Sequence, residues 1–253
     1  MCRYANVLFP LWLSVIHLSL CVYGTKFEDF KDDHGLRRKL VLRDGTTKPA
    51  WKKFGQGAVP TKWANATIYY RYSESFSAEQ RTTINHVLGI VQNASCVQFV
   101  ERTLEKNYTL FSPGPTCASH VGMQGGRQTV FLAKGCFTTA RIARQVLHLL
   151  GFHAELNRPD RDAYIDVNWS NIKPGMMRAF YRYPEESHLT LNLPFDFHSV
   201  SFFDNTRDYG LDSSKWIVRS NNSSVMTLGN ENGFSVLDLR KINKVYCDRL
   251  RST

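Results

Sequence analysis

Arg144-Gln145-Val146-Leu147-His148-Leu149-Leu150-Gly151-Phe152-His153-Ala154-Glu155, continued by Arg158-Pro159-Asp160-Arg161-Asp162, is the stretch that decides how this chain is read. Ile142, Val146 and Leu149 recur at helical spacing, so a helix opening near Thr138–Thr139 has one apolar side. Gly151 stops it, because glycine accepts the left-handed backbone that a helix end uses. Arg144 and His148 are four residues apart and share a face of that helix. A guanidinium and an imidazole thus stand together just ahead of a sharp turn, beyond which lie His153, Ala154 and Glu155.

Upstream, Thr67–Tyr72 is rich in β-formers and reads as a strand. Ser77 with Gln80 makes a capping box, and Ile84, Val87, Leu88 and Val91 form the apolar stripe of a helix packed on a sheet. Cys96–Val100, Tyr108–Ser112 and Gln128–Leu132 are short β-rich runs between turn residues. Downstream of Gly151 the chain is irregular until Ser235, which caps a last helix with Leu239, Ile242, Val245 and Tyr246 inward. Sheet and helices come first and a loop-rich half follows, an α+β pattern.

The chain has 253 residues, 43% hydrophobic and 21% charged, enough for one substantial core or two lobes sharing a cleft. Residues 1–24 read as a secretory signal: Arg3, an apolar run from Val7 to Val22 too short to span a bilayer, then small residues near Gly24. Residues 25–53 carry Arg37-Arg38-Lys39 and Lys52-Lys53, show little helical or strand periodicity, and read as a propeptide or linker. Residues 54–253 are the folded domain. Cys2 and Cys21 leave with the signal, and Cys96, Cys117, Cys136 and Cys247 remain, with three pairings open. N-glycosylation triplets occur at Asn65, Asn93, Asn107, Asn168, Asn221 and Asn222, so the expected product is an extracellular glycoprotein with no membrane span. The net charge is +10, but ten Lys/Arg against five Asp/Glu in residues 1–53 supply half of it. No nucleic-acid motif accompanies the charge, so a nucleic-acid partner is not expected.

The quoted stretch resembles the astacin signature H-E-x-x-H-x-x-G-F-x-H-E-x-x-R-x-D-R-D, matching at His148, Gly151, Phe152, Glu155, Arg158, Asp160, Arg161 and Asp162. Pro194-Phe195-Asp196-Phe197-His198-Ser199-Val200-Ser201-Phe202-Phe203 is similar to the family's Met-turn. Lys62–Tyr70 looks like its opening strand, Val121–Val130 is close to its V-G-x-x-G-G-x-Q segment, and Phe234–Cys247 resembles its closing helix. The resemblance implies a metzincin fold: a lobe of twisted, mostly parallel sheet with two long helices, a loop-rich second lobe with a terminal helix, and a cleft between. It also implies the bridges Cys96–Cys247 and Cys117–Cys136, and structural roles for Gly151, Glu155 and Ser201. In the family, cleavage lets a new N-terminus fold inward near the glutamate matched by Glu155; the corresponding start here falls near Phe54. Phe27-Glu28-Asp29 is a degenerate version of the family's zinc-capping F-x-G-D.

In that signature the three histidines bind zinc and the glutamate beside the first takes a proton from the zinc-bound water. Here the ligand positions are Arg144, His148 and Ala154, the base position is Gln145, and the Met-turn methionine and tyrosine positions are Ser201 and Phe203. A guanidinium about 4 Å from a divalent ion would be repelled by about 8 kcal/mol at an effective dielectric near 20. Gln145 cannot act as a base near neutral pH, where a positioned base is worth about 10²–10⁴ in rate. His153 and His198 match no known ligand spacing with His148, which reads as a satisfied cleft or core histidine. Arg144 then fills the metal position, with Glu155 or Asp196 as an expected acid partner. The sequence predicts a secreted, monomeric pseudopeptidase with no catalytic or metal set intact and no cofactor, whose partner is a peptide or an extracellular protein. The alternative is a zinc endopeptidase with a rearranged site.

Overall fold

The computed structural model describes the backbone of residues 26–32, 35–41 and 47–49, and residues 59–185, 191–202 and 209–248 in full. The chain divides into two compact units, 1–54 and 55–253. In the first, β1 (Lys26–Asp32), β2 (Gly35–Val41) and β3 (Thr47–Pro49) form an antiparallel sheet in that order. The sequence had shown little strand periodicity there, because charged residues interrupt any alternation. The register sets Glu28 opposite Lys39 and Asp29 opposite Arg38. The signal at 1–24, the basic pair Lys52-Lys53 and Phe54 lie outside the described residues.

The second unit opens on β4 (Thr67–Tyr72), followed by α1 (Ala78–Ala94). The capping box is present in both directions, Gln80 N donating to Ser77 Oγ and Ser77 N to Gln80 Oε1, and the stripe Ile84, Val87, Leu88, Val91 is buried. Then come β5 (Gln98–Glu101), β6 (Tyr108–Pro113) and β7 (Arg127–Leu132). The strands lie in the order β5-β4-β6-β7, all parallel, and Ala118 adds an antiparallel bridge to Phe131. Helix α2 (Thr139–Leu149) follows, with Thr138 Oγ1 accepting from Arg141 N. Its Ile142, Val146 and Leu149 join α1 and the sheet in one core.

After α2 the chain forms a second apolar cluster around Leu156, Ile165, Ile172, Phe180, Phe195, Phe202 and Ile217. An antiparallel ribbon, β8 (Ile165–Val167) with β9 (Val218–Ser220), crosses this half. Strands of three residues are too short to leave a periodic signal, so the region had read as irregular. Helix α3 (Val236–Tyr246), capped by Ser235, buries Ile242, Val245 and Tyr246 in the first cluster. The disulfides are Cys96–Cys247 and Cys117–Cys136, with Cα atoms 5.6 and 5.8 Å apart, as the family resemblance implied.

The end of α2 is built with particular care. Phe152 N donates to Leu147 O and Gly151 N to His148 O, the pair of bonds of a Schellman motif. Two carbonyls that the helix cannot satisfy itself take side chains from far along the chain. Trp63 Nε1 donates to Leu149 O and Tyr246 Oη to Leu150 O, both at 2.9 Å. Gly151 holds φ at +97°, and a Cβ there would stand 3.3 Å from Pro60 Cβ. Gly151→Ala is therefore expected to lose about 1–3 kcal/mol of stability, read as a lower urea midpoint with an unchanged slope.

Candidate functional site

One face of α2 carries Arg144 and His148, and beyond the turn at Gly151 Glu155 N bonds to Ser201 Oγ, in the same 200–202 segment that Arg144 reaches. Arg144 donates from Nε to Val200 O at 3.0 Å and from Nη2 to Phe202 O at 2.6 Å. Its guanidinium thus bridges the helix to the segment that resembles the Met-turn. Burial pulls its pKa down from the ordinary value, Glu231 opposing that and Arg141 adding to it. Gln145 is buried at 3% exposure. Ala154, at 6%, offers only a methyl group.

His148 keeps an ordered ring, with Nδ1 2.9 Å from Phe152 O. A carbonyl only accepts, so Nδ1 carries the proton and Nε2 keeps its lone pair. Burial lowers the imidazole's pKa, and the Arg144 charge lowers it further against the Phe152 carbonyl; the neutral form is favoured. His153 stacks on Tyr183 with ring centroids 3.9 Å apart. The backbone N of His198 donates to Asp196 Oδ1, and His198 lines an open depression of about 790 Å³ with Trp216, Arg219, Met226 and Glu231. Among the described residues, no three His, Cys, Asp or Glu side chains gather as a metal-holding group.

The positions that would hold zinc in the resembled signature therefore do not fit the ion. His148 alone supplies a donor, Ala154 supplies none, and Arg144 puts a permanent cation there, anchored by two carbonyls. A ligand set of that composition lacks both the charge and the donor number that zinc needs. Phe203 lies outside the described residues.

Glu155 is 1% exposed and sits at the centre of a buried polar network. Its Oε1 accepts from Arg158 Nη1 at 2.9 Å and from Asp196 N at 2.8 Å, and its Oε2 accepts from Lys241 Nζ at 2.5 Å. The expected pairing of Arg144 with Glu155 or Asp196 is not what forms: Arg158 and Lys241 take Glu155, and Asp196 Oδ2 accepts from Ser235 Oγ. Burial is the main cause that raises the Asp196 carboxyl pKa, and the Asp238 charge raises it further.

Ser201, in the methionine position, accepts from Glu155 N at 2.8 Å and shares a hydrogen bond with Ser199 Oγ at 2.7 Å. Ser199 Oγ donates in turn to Asp238 Oδ1, whose Oδ2 accepts from Val200 N. Arg158 also grips Asp160 through two bonds and the Leu193 and Pro194 carbonyls. Arg161 Nη1 donates to the Leu156 and Phe180 carbonyls. Sequence reasoning missed Asp238 and Lys241. The signal was there, since both fall on the face of α3 that also carries Ile242 and Val245, where a charged residue is buried only if paired.

Of the glycosylation triplets, Asn65, Asn93, Asn107, Asn221 and Asn222 are exposed, whereas Asn168 is half-buried with Nδ2 donating to Trp216 O at 3.2 Å.

The sequence model of the astacin peptidase family matches residues 56–247. The chain is 33% identical over 221 residues to zinc metalloproteinase nas-14 of Caenorhabditis elegans, covering 85% of this chain and 42% of that protein. Zinc metalloproteinase nas-4 of the same organism is 32% identical, with coverage of 77% and 62%. The chain thus spans less than two thirds of these relatives' length. Among solved structures, high choriolytic enzyme 1, a hatching enzyme zinc-protease from Oryzias latipes, superposes with a TM-score of 0.68 at 27% identity, over 75% of this chain and 94% of that one.

Lys241 is the cleanest probe of the network. Removing one partner of a buried pair leaves an uncompensated charge, so Lys241→Met is expected to cost about 3–5 kcal/mol in urea denaturation. The exposed Lys244→Met is expected to stay within about 0.5 kcal/mol.

Proposed function

Because the chain belongs to the astacin family of peptidases, we propose that it is a secreted family member that no longer cuts peptides and uses its residual cleft to bind them. The observation that carries this reading is Arg144, whose guanidinium is tied to the Val200 and Phe202 carbonyls at the first ligand position. Displacing it for zinc would break two charge-assisted hydrogen bonds and still leave a fixed charge nearby. Gln145 and Ala154 add to the case, since the base and a further ligand are absent at their positions. The remaining framework is intact: the Gly151 turn, the Glu155 network and both disulfides are those of a finished fold.

A secreted route is supported by the N-terminal sequence, the two disulfides and the six glycosylation triplets. The partner class proposed is a peptide or an extracellular protein. A zinc endopeptidase with a rearranged site draws on one observation, that His148 keeps Nε2 free of the Phe152 bond.

Elemental analysis of the secreted, dialysed protein decides between the two. The expected result is zinc well below one equivalent per chain and no chelator-sensitive cleavage of a casein substrate. One equivalent, lost in His148→Ala, would establish the zinc enzyme. The triple variant Arg144→His, Gln145→Glu, Ala154→His is expected to gain about one equivalent, because His148 already presents the tautomer a ligand needs.

A further inference from the structure

Thr109 lies in β6 with both neighbouring strands paired to it, Tyr70 on one side and Gln128 on the other. It is fully buried, and among the described residues its Oγ1 has no hydrogen-bond partner. A buried hydroxyl without a partner costs free energy, and valine has the same shape without that cost. The fold gives this hydroxyl nothing to do. The sequence does: Thr109 closes the triplet Asn107-Tyr108-Thr109, and an asparagine accepts an N-linked sugar only with a hydroxyl residue two places on.

We infer that Asn107 carries an N-linked oligosaccharide, with Asn65 and Asn93 bearing companions at the same end of the sheet, and that the Thr109 hydroxyl is kept for this attachment rather than for the fold. The inference rests on the secreted reading above. In the transfer, Asn107 Nδ2 loses a proton and bonds to the anomeric carbon of an oligosaccharide, and the lipid diphosphate that carried the sugar leaves. Since the fold buries the Thr109 hydroxyl, transfer precedes folding. Asn107 is exposed, and its Oδ1 accepts from Gly126 N at 2.7 Å. The amide oxygen is thus fixed inward, and attachment at Nδ2 leaves that bond in place.

The placement of the other two follows from topology. Asn65 lies just ahead of β4 at Thr67, Asn93 ahead of β5 at Gln98, and Asn107 ahead of β6 at Tyr108. The strands are parallel, so all three asparagines gather at the end of the sheet where strands begin. Among the described residues β5 is an outer strand of this sheet with no partner on its far side. An unpaired edge invites pairing with another chain, and bulky hydrophilic groups beside it oppose that. The hydroxyls of Thr67 and Ser95 do have bonds in the fold, to Asn65 O and Val91 O, so only Thr109 isolates the requirement.

The full chain, expressed in secreting eukaryotic cells, tests this by site-resolved mass spectrometry and by melting after enzymatic glycan removal. Wild type and Thr109→Ser are expected to be modified at Asn107, and Thr109→Val is not. Deglycosylated Thr109→Val is expected to melt no lower than deglycosylated wild type, and up to about 4 °C higher. An unmodified Asn107 in a chain glycosylated elsewhere overturns the inference and leaves the secreted reading standing. So does a Thr109→Val that melts several degrees lower or fails to fold. A chain with no glycan at any site, retained inside the cell, overturns both.

Discussion

A single buried carboxylate organises the second half of this domain. Glu155 has almost no contact with solvent, and its oxygens are shared among Arg158, Lys241 and the backbone N of Asp196. Those three groups come from the turn after α2, from α3 and from the Met-turn-like segment. An ion buried to this degree is tolerated only when its partners stay in place, so the carboxylate dictates where three separate parts of the chain must meet. Ser201, Ser199 and Asp238 extend the same network by hydrogen bonds to the next layer.

The altered α2 face fits into that frame without disturbing it. Arg144 gives Nε to the Val200 carbonyl and Nη2 to the Phe202 carbonyl, in the segment that Asp238 also holds through Ser199 and Val200. Where the family resemblance places a metal as the link between helix and turn, this chain has a guanidinium as the link. The exchange keeps the two elements together while changing the chemistry between them. Among the described residues, His148 is the one member of the resembled ligand set still present.

Much of the first lobe was legible because its signals are local. The capping box at Ser77 and Gln80, the stripe from Ile84 to Val91 and the stop at Gly151 depend on residues a few places apart, and the structure has each of them. The disulfide pairing was not legible from cysteine spacing and came only with the family resemblance. The ribbon of β8 and β9 was missed because three-residue strands carry no period. The partners of Glu155 were missed for a different reason. Lys241 lies 86 residues away in sequence, and no local pattern says that an acid after a helix and a base within another will share one cavity. The Val200 and Phe202 groups that Arg144 reaches were not legible either, because they are backbone carbonyls, which every residue offers and no sequence singles out.

The capping of α2 has a consequence for how the domain assembles. Leu149 O and Leu150 O are satisfied by Trp63 and Tyr246, side chains 86 and 96 residues away, and the disulfide at Cys247 closes over a separation of 151. Contacts of such length make folding slow, since loop entropy is lost before they form. The helix carrying Arg144 and His148 therefore acquires its full set of end bonds only when both Trp63 and Tyr246 have docked. Any state lacking α3 therefore has an α2 with its Leu150 carbonyl left open.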